Sequence, residues 1–283
     1  MGRPAAPRGR APADCRGHDR SAGSELVNLD LDQALAVARN AALAAGALIN
    51  RHYAEGVAVR IKADATPVTQ ADEDSEQIIR EILLQAYPDH AIYGEEGGHQ
   101  GSSDYLWLVD PIDGTKSFVR GYPMFSTQIG LMYRGELLLG VSHASAYGET
   151  AWARRGGGAF LNGKPIRVAA TEQWSQASLS TGNLKTLASG ARWSVLADLV
   201  RGAHRTRGYG DFLHYHLLAA GCIDVVLESD VNILDIAALV AIIREAGGVF
   251  TDLEGREIGL NTSSVLAATP ALHAQVLARL QSV

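Results

Sequence analysis

A chain of 283 residues with 47% hydrophobic and 20% charged side chains has material enough for a sizeable core, in one domain or in two halves around a cleft. Its net charge of −6 excludes a basic nucleic-acid or anionic-membrane surface as the organising feature, and no apolar run can cross a bilayer, since the alanine-rich stretch 34–49 contains Arg39 and Asn40. Two cysteines, Cys15 in an N-terminal tail and Cys222 in an apolar segment of helical character, make neither a disulfide framework nor a cysteine metal site and fit a reducing cytoplasm.

Residues 1–26 are rich in Arg, Ala, Pro and Gly with almost no large apolar side chain, the composition of a disordered basic tail without the apolar core of a secretory leader. From Leu31, apolar positions at 31, 34, 35, 38, 41, 42 and 45 recur at helical spacing, with Asp30 or Asp32 as the cap and Gly56 as the stop. Residues 57–61 alternate as a strand. Thr69 with Asp72 three residues on predicts a capping box for a helix to about Ala86, ended by Pro88. A short strand over 91–93 delivers Gly94, Glu95 and Glu96, and an apolar, aromatic strand over 105–109 stops at Asp110. Residues 124–133 and 137–145 read as a hairpin about Arg134-Gly135, followed by strands at 150–154 and 159–161. Beyond Val168 helices and strands alternate, ending in a helix from Pro270. The expected division is therefore the tail 1–26, a helix pair with an antiparallel sheet over 27–168, and an alternating α/β part over 169–283, with the active site between the last two.

The stretch 107–118, WLVDPIDGTKSF, carries the chemistry. Pro111 biases Asp110 toward extended backbone, and a tight turn returns a second carboxylate at Asp113. Two close carboxylates repel unless a cation neutralises them, and an oxygen-only donor set favours magnesium or manganese over zinc. Gly114 removes a side chain where a ligand could approach, and the amides of Gly114 and Thr115 could donate to a phosphate. The bland alternative is a proline turn with solvated acids.

DPIDGT at 110–115, GEE at 94–96 and LDIAA around Asp235 resemble the inositol monophosphatase family of magnesium-dependent phosphomonoesterases, over almost the whole chain from about Leu31. The resemblance implies an α/β layered αβαβα sandwich of the sugar-phosphatase type, two or three Mg2+ ions per site with Mn2+ as a substitute, a small phosphorylated substrate and a homodimer. It assigns Asp110 to bridge the ions, Glu95 and the Ile112 carbonyl to complete the first site, and Asp113 with Asp235 to hold the second. Asp72 and Thr115 would orient the attacking water, Lys62 and Asp64 would lie near the cleft entrance, and Glu96 would act outside the metal shell. Taken alone, an acid such as Asp235 at a helix start is more often a partner of the helix dipole. Leu234 stands where the family usually has Trp, which puts the local packing in question. The histidines at 143, 204, 214 and 216 lack metal-ligand spacing and read as core or surface residues, and 156–158 reads as a turn.

Glu228 matches a family glutamate that touches the substrate beyond its phosphate. Upstream, RGYGDF departs from the small-residue stretch of inositol-cleaving members and places Asp211 in the pocket region. Two acids suit a cationic alcohol better than a neutral polyol. RGYGDF with DGTKSFVRG resembles the histidinol-phosphate phosphatases of this family. The alternatives are that Asp211 only caps its helix, with Arg205 or Arg207 cancelling its charge; that the chain is an inositol-1-monophosphatase or a broad sugar phosphatase such as a fructose-1,6-bisphosphatase; or that it is a catalytically silent binding protein of the same fold.

Overall fold

The computed structural model describes residues 29–56, 59–61 and 67–282; the tail assigned to 1–26 and the residues Lys62 and Asp64 lie outside the described residues. Helix α1 (Leu31–Glu55) buries a stripe of Ala34, Ala38, Ala41, Ala42 and Ala45, small side chains that let it lie close on its neighbours. Asp32 in its first turn accepts two bonds from the Arg154 guanidinium, at 2.5 and 2.9 Å. Strands β1 (Val59–Ile61) and β2 (Pro67–Thr69) pair antiparallel and lead into α2 (Gln70–Ala86), which opens on the expected Thr69–Asp72 capping box.

Eight strands form the first sheet: β3 (Ala91–Gly94), β4 (Gly98–Gln100), β5 (Tyr105–Asp113), β6 (Ser126–Tyr133), β7 (Glu136–Ala144), β8 (Glu149–Arg154), β9 (Gly158–Leu161) and β10 (Lys164–Ile166). Their order is β10-β9-β8-β7-β6-β5-β3-β4, antiparallel except between β3 and β5. The β6–β7 hairpin turns on Arg134 and Gly135, both at positive φ (48° and 89°), as a two-residue turn of the primed type requires. Between β5 and β6 lies a short helix, α3 (Thr115–Val119).

The remainder of the chain builds β11 (Ser178–Thr181), α4 (Lys185–Ala188), α5 (Arg192–Gly202), β12 (Arg205–Arg207), α6 (Asp211–Ala219), β13 (Val225–Ser229), α7 (Ile233–Glu245), β14 (Val249–Thr251), β15 (Ser264–Ala268) and α8 (Pro270–Leu280). Its five-stranded sheet has the order β12-β11-β13-β15-β14, with β11 parallel to β12 and β13, and β15 antiparallel to both neighbours. Helices α1 and α2 contact the first sheet; α7, with α6 beside it, contacts both sheets; α4 and α8 contact the second sheet and α5 packs on α8, which makes five layers of helix and sheet. Ten of the thirteen residues of α7 are buried, as a helix between two sheets must be. Leu234 is one of them and joins the main core, so the question raised by the missing Trp is answered by a well-packed leucine.

Two sequence expectations need correction. The first concerns 110–113, where the chain makes no tight turn: β5 runs on to Asp113 beside β6, with Asp110 opposite Gln128 and Asp113 opposite Ser126. Three steps on one strand thus match two on the other, a one-residue bulge, which is a place where a sheet tolerates a proline. The second concerns Cys222, which lies beyond the end of α6 and is exposed.

Candidate active site

The bulge bends the strand carrying Asp110 and Asp113 so that both carboxylates share one volume with Asp235 from the first turn of α7; one oxygen from each lies within 4.8 Å of the others. Local bonds aim each group. The Ile112 amide donates to Asp110 Oδ1 at 3.0 Å, Thr127 Oγ1 donates to the Pro111 carbonyl at 2.9 Å, and Ser126 Oγ lies 3.4 Å from Asp113 Oδ2. Asp235 closes a capping box, accepting the Asn232 amide at 2.9 Å while the Asn232 side chain accepts the Leu234 amide. It is therefore a helix-start acid and at the same time a member of the carboxylate cluster.

Burial and crowding make the cluster costly when it is fully ionised. Asp110, only 2% exposed, is raised well above the usual carboxylate range by burial and then by Glu95, Asp113 and Asp235. Asp113 is raised in the same sense by burial, Asp211, Asp235 and Glu228. Asp235 is pushed up to about 7, mainly by burial, against the lowering effect of the Asn232 amide. An all-oxygen set of this charge fits hard divalent cations, which remove the repulsion that otherwise holds protons on the acids.

Beside the cluster, Asp72 Oδ2 accepts the Thr69 amide (2.8 Å) and hydroxyl (2.6 Å), and Oδ1 lies 3.4 Å from Thr115 Oγ1, whose hydroxyl donates to the Ile112 carbonyl at 3.0 Å. Gly114 sits at φ 88°, and a Cβ there would come within 2.5 Å of the Met124 carbonyl oxygen, so the chain needs a glycine for its own packing.

Sequence reasoning missed what supports Glu95. The turn between β3 and β4 is held by buried Glu76, whose Oε1 accepts Arg80 Nε (2.7 Å) and the Gly97 amide (2.8 Å) and whose Oε2 accepts the Glu96 amide (2.7 Å). Arg80 in turn donates to the Gly98 carbonyl at 2.6 Å. The available signal was a Glu and an Arg four residues apart on α2, beside the alanine and isoleucine of its buried face. Glu76→Ala leaves a buried guanidinium and two amides without their acceptor and is expected to cost about 3–5 kcal/mol, whereas Glu81→Ala, on the exposed side of α2, should stay within about 0.5 kcal/mol. Denaturant unfolding of the two variants checks this, and equal destabilisation would refute it.

Glu228, 4% exposed, accepts the Asn183 amide on Oε1 (2.9 Å) and the Tyr215 hydroxyl on Oε2 (2.8 Å), with His214 Nε2 at 3.3 Å. Burial raises its carboxyl, but His214, Asn183 and Tyr215 together outweigh burial and hold it below its ordinary value. Asp211 opens α6 at φ 43°, and its carboxyl is raised by burial and Glu228 and relieved by His214 and Lys116. His214 and then Lys116 are thus the groups that relieve Asp211, and Arg207 donates to the Thr206 carbonyl. His216 is buried between Glu149 and Ser142, His143 Nδ1 lies 2.8 Å from Thr150 Oγ1, and His204 is exposed, so these histidines are core and surface residues as expected. The expected turn covers 155–157 and leads into β9 at Gly158, and the Gly156 and Gly158 amides donate to Glu245.

A profile described as the inositol monophosphatase family matches residues 30–283. The chain is 36% identical over 261 residues to a histidinol-phosphatase of Streptomyces coelicolor, covering 89% of this chain and 96% of that one. It is 38% identical over 232 residues to an inositol-1-monophosphatase of Rhizobium meliloti, covering 78% and 86% respectively. A solved inositol monophosphatase from Anabaena superimposes with a TM-score of 0.79 at 29% identity, over 90% of this chain and 98% of that one.

Proposed function

Since the chain belongs to the inositol monophosphatase family and is a phosphoric monoester hydrolase, we propose that it is a magnesium-dependent phosphatase whose substrate is histidinol phosphate, cleaved by water to histidinol and phosphate. The carrying observation is the second pair of acids, Asp211 and Glu228, beside the carboxylate cluster: each appears among the charges acting on Asp113 and Asp235.

Phosphate monoesters resist hydrolysis because anionic oxygens repel the nucleophile and an alkoxide leaves poorly. Divalent cations held by Asp110, Asp113 and Asp235, with Glu95 and the Ile112 carbonyl, would supply the positive charge that offsets both barriers. The protein's own groups do the positioning. Asp72 Oδ2 is already occupied by Thr69, which leaves Oδ1, next to Thr115 Oγ1, to accept one proton of an attacking water and aim its lone pair. Asp211 and Glu228 then face the alcohol. A neutral polyol gains from them only ordinary hydrogen bonds, whereas the ammonium of an amino alcohol gains charge-assisted ones. The cytoplasmic location expected from the cysteine content and the homodimer implied by the resemblance belong to the same proposal.

The relative named inositol-1-monophosphatase supports a second candidate, inositol 1-phosphate. Turnover of histidinol phosphate, inositol 1-phosphate and fructose 1,6-bisphosphate with magnesium separates the candidates. Asp211→Asn keeps a side chain that tolerates positive φ and removes the charge, so kcat/KM for histidinol phosphate should fall roughly 10–100-fold, the worth of a hydrogen bond to a charged group. Inositol 1-phosphate should lose less than about threefold, a few tenths of a kcal/mol. Equal use of both esters, unmoved by the substitution, would exclude histidinol phosphate as the specific substrate.

A further inference from the structure

His214 is a residue the mechanism leaves unused. Its side chain is fully buried on the apolar helix α6, and a polar ring in such a place requires partners. Those partners form a directed chain. The Tyr209 amide can only donate, and it points at Ser180 Oγ (3.3 Å); Ser180 Oγ lies 3.4 Å from His214 Nδ1; and His214 Nε2 lies 3.3 Å from Glu228 Oε2. Nδ1 and the Ser180 hydroxyl are within hydrogen-bonding distance, whereas Nε2 makes no hydrogen bond and meets Glu228 as a close charge contact. The two bonds to Ser180 sit at the long end of hydrogen bonding, where contacts orient more than they bind.

The chain joins the two acids of the leaving-group pocket. One end is Glu228, held on its other sides by the Asn183 amide and the Tyr215 hydroxyl. The other end is Tyr209, two residues before Asp211, in a stretch where Gly210 (φ 69°) and Asp211 (φ 43°) both have positive φ. For a non-glycine residue that conformation is uncommon and persists where the surroundings over-determine it. Asp211, His214 and Tyr215 recur at three- and four-residue spacing and so share one face of α6. Ser180 ties that face to β11 of the second sheet.

We infer that Ser180 and His214 are positioning residues for substrate choice: they fix the Asp211 segment against Glu228, so that the two carboxylates meet the cationic group of the leaving alcohol together. This rests on the leaving-group assignment above. Neither residue reaches the reacting atoms, so the hydrolytic step itself does not depend on them. A structural role alone would lower every activity in step with stability; a positioning role changes the ratio between substrates.

The test uses the full-length enzyme with magnesium and three variants, Ser180→Ala, His214→Ala and His214→Gln. Ser180→Ala cuts the tie without touching Glu228 and serves where His214→Ala folds poorly, while the glutamine amide reaches toward Glu228 but offers Ser180 no ring nitrogen. The ratio of kcat/KM for histidinol phosphate to that for inositol 1-phosphate is expected to drop about tenfold in Ser180→Ala and His214→Ala and somewhat less in His214→Gln, the scale of one buried hydrogen bond. Turnover of p-nitrophenyl phosphate, which has no cationic group, should stay within about threefold of wild type. A wild-type enzyme that does not prefer histidinol phosphate overturns the leaving-group assignment and this inference with it. A wild type that does prefer it, with the ratio unchanged in Ser180→Ala and His214→Ala, overturns this inference alone, as does a parallel loss of all three activities that tracks the fall in melting temperature.

Discussion

Asp110→Asn is expected to abolish phosphatase activity, by roughly 10³-fold or more, while leaving the metal-free protein as stable as wild type or more so. Both halves follow from the same geometry. Asp110 is the most buried member of the three-carboxylate cluster and faces Glu95, Asp113 and Asp235 at once. Its amide replacement keeps an oxygen for the Ile112 amide but removes one negative charge from the cation site, and the charge stabilisation forfeited is several kcal/mol at about 1.4 kcal/mol per tenfold in rate. The same removal relieves repulsion when no cation is bound, which is a stability–activity trade-off of the usual kind. Two measurements check it: the rate with saturating magnesium, and the rise in melting temperature on adding magnesium. The second should be clear in wild type and largely lost in the variant. A variant that retained both would mean that Asp110 is not a ligand.

The metal-free protein is also expected to lose stability as pH rises from about 6.5 to 8. Asp110, Asp113 and Asp235 all have folded-state values above their unfolded ones, so in this range the native state holds more protons than the unfolded chain. Stability from such groups is complete below the unfolded values near 4 and disappears as pH passes through the folded values, for Asp235 about 7. His90, His143, His216 and His273, lowered chiefly by desolvation, act in the opposite sense, but their contribution is complete above about pH 6.5. Above that pH the acids dominate. The loss should be roughly 1–4 kcal/mol, or a melting temperature lower by about 2–10 °C for a chain of this size. Excess magnesium should flatten or reverse the slope, because a cation favours the ionised carboxylates that protonation removes. Melting curves at three pH values with chelator and with magnesium decide the matter; a metal-free protein more stable at pH 8 than at 6.5 would contradict the proposed electrostatics.

Much of the site was legible before any coordinates, because its parts are local. DPIDGT, GEE and the Thr69–Asp72 capping box each depend on residues within a few positions of one another, and the strand and helix periods around them were plain enough to place the acids at element ends. Helices α1, α2, α7 and α8 and the β6–β7 hairpin were likewise written in apolar spacing, capping residues and one Arg-Gly turn. What failed was local structure decided by a partner strand: Pro111 reads as a turn in isolation, and only pairing with β6 makes it a bulge.

By itself, then, the order of residues pointed to the side chains proposed to carry the chemistry, since oxygen donors, glycines and caps act through their own identity. Only the packed molecule decided what those side chains do to one another. It brought Asp235 to Asp110 and Asp113 across more than a hundred residues of chain, set buried Glu76 under the Glu95 turn, and surrounded Glu228 with Asn183, His214 and Tyr215. The reason is physical: burial and through-space charge depend on distances that chain folding alone establishes, and no spacing along a sequence encodes them.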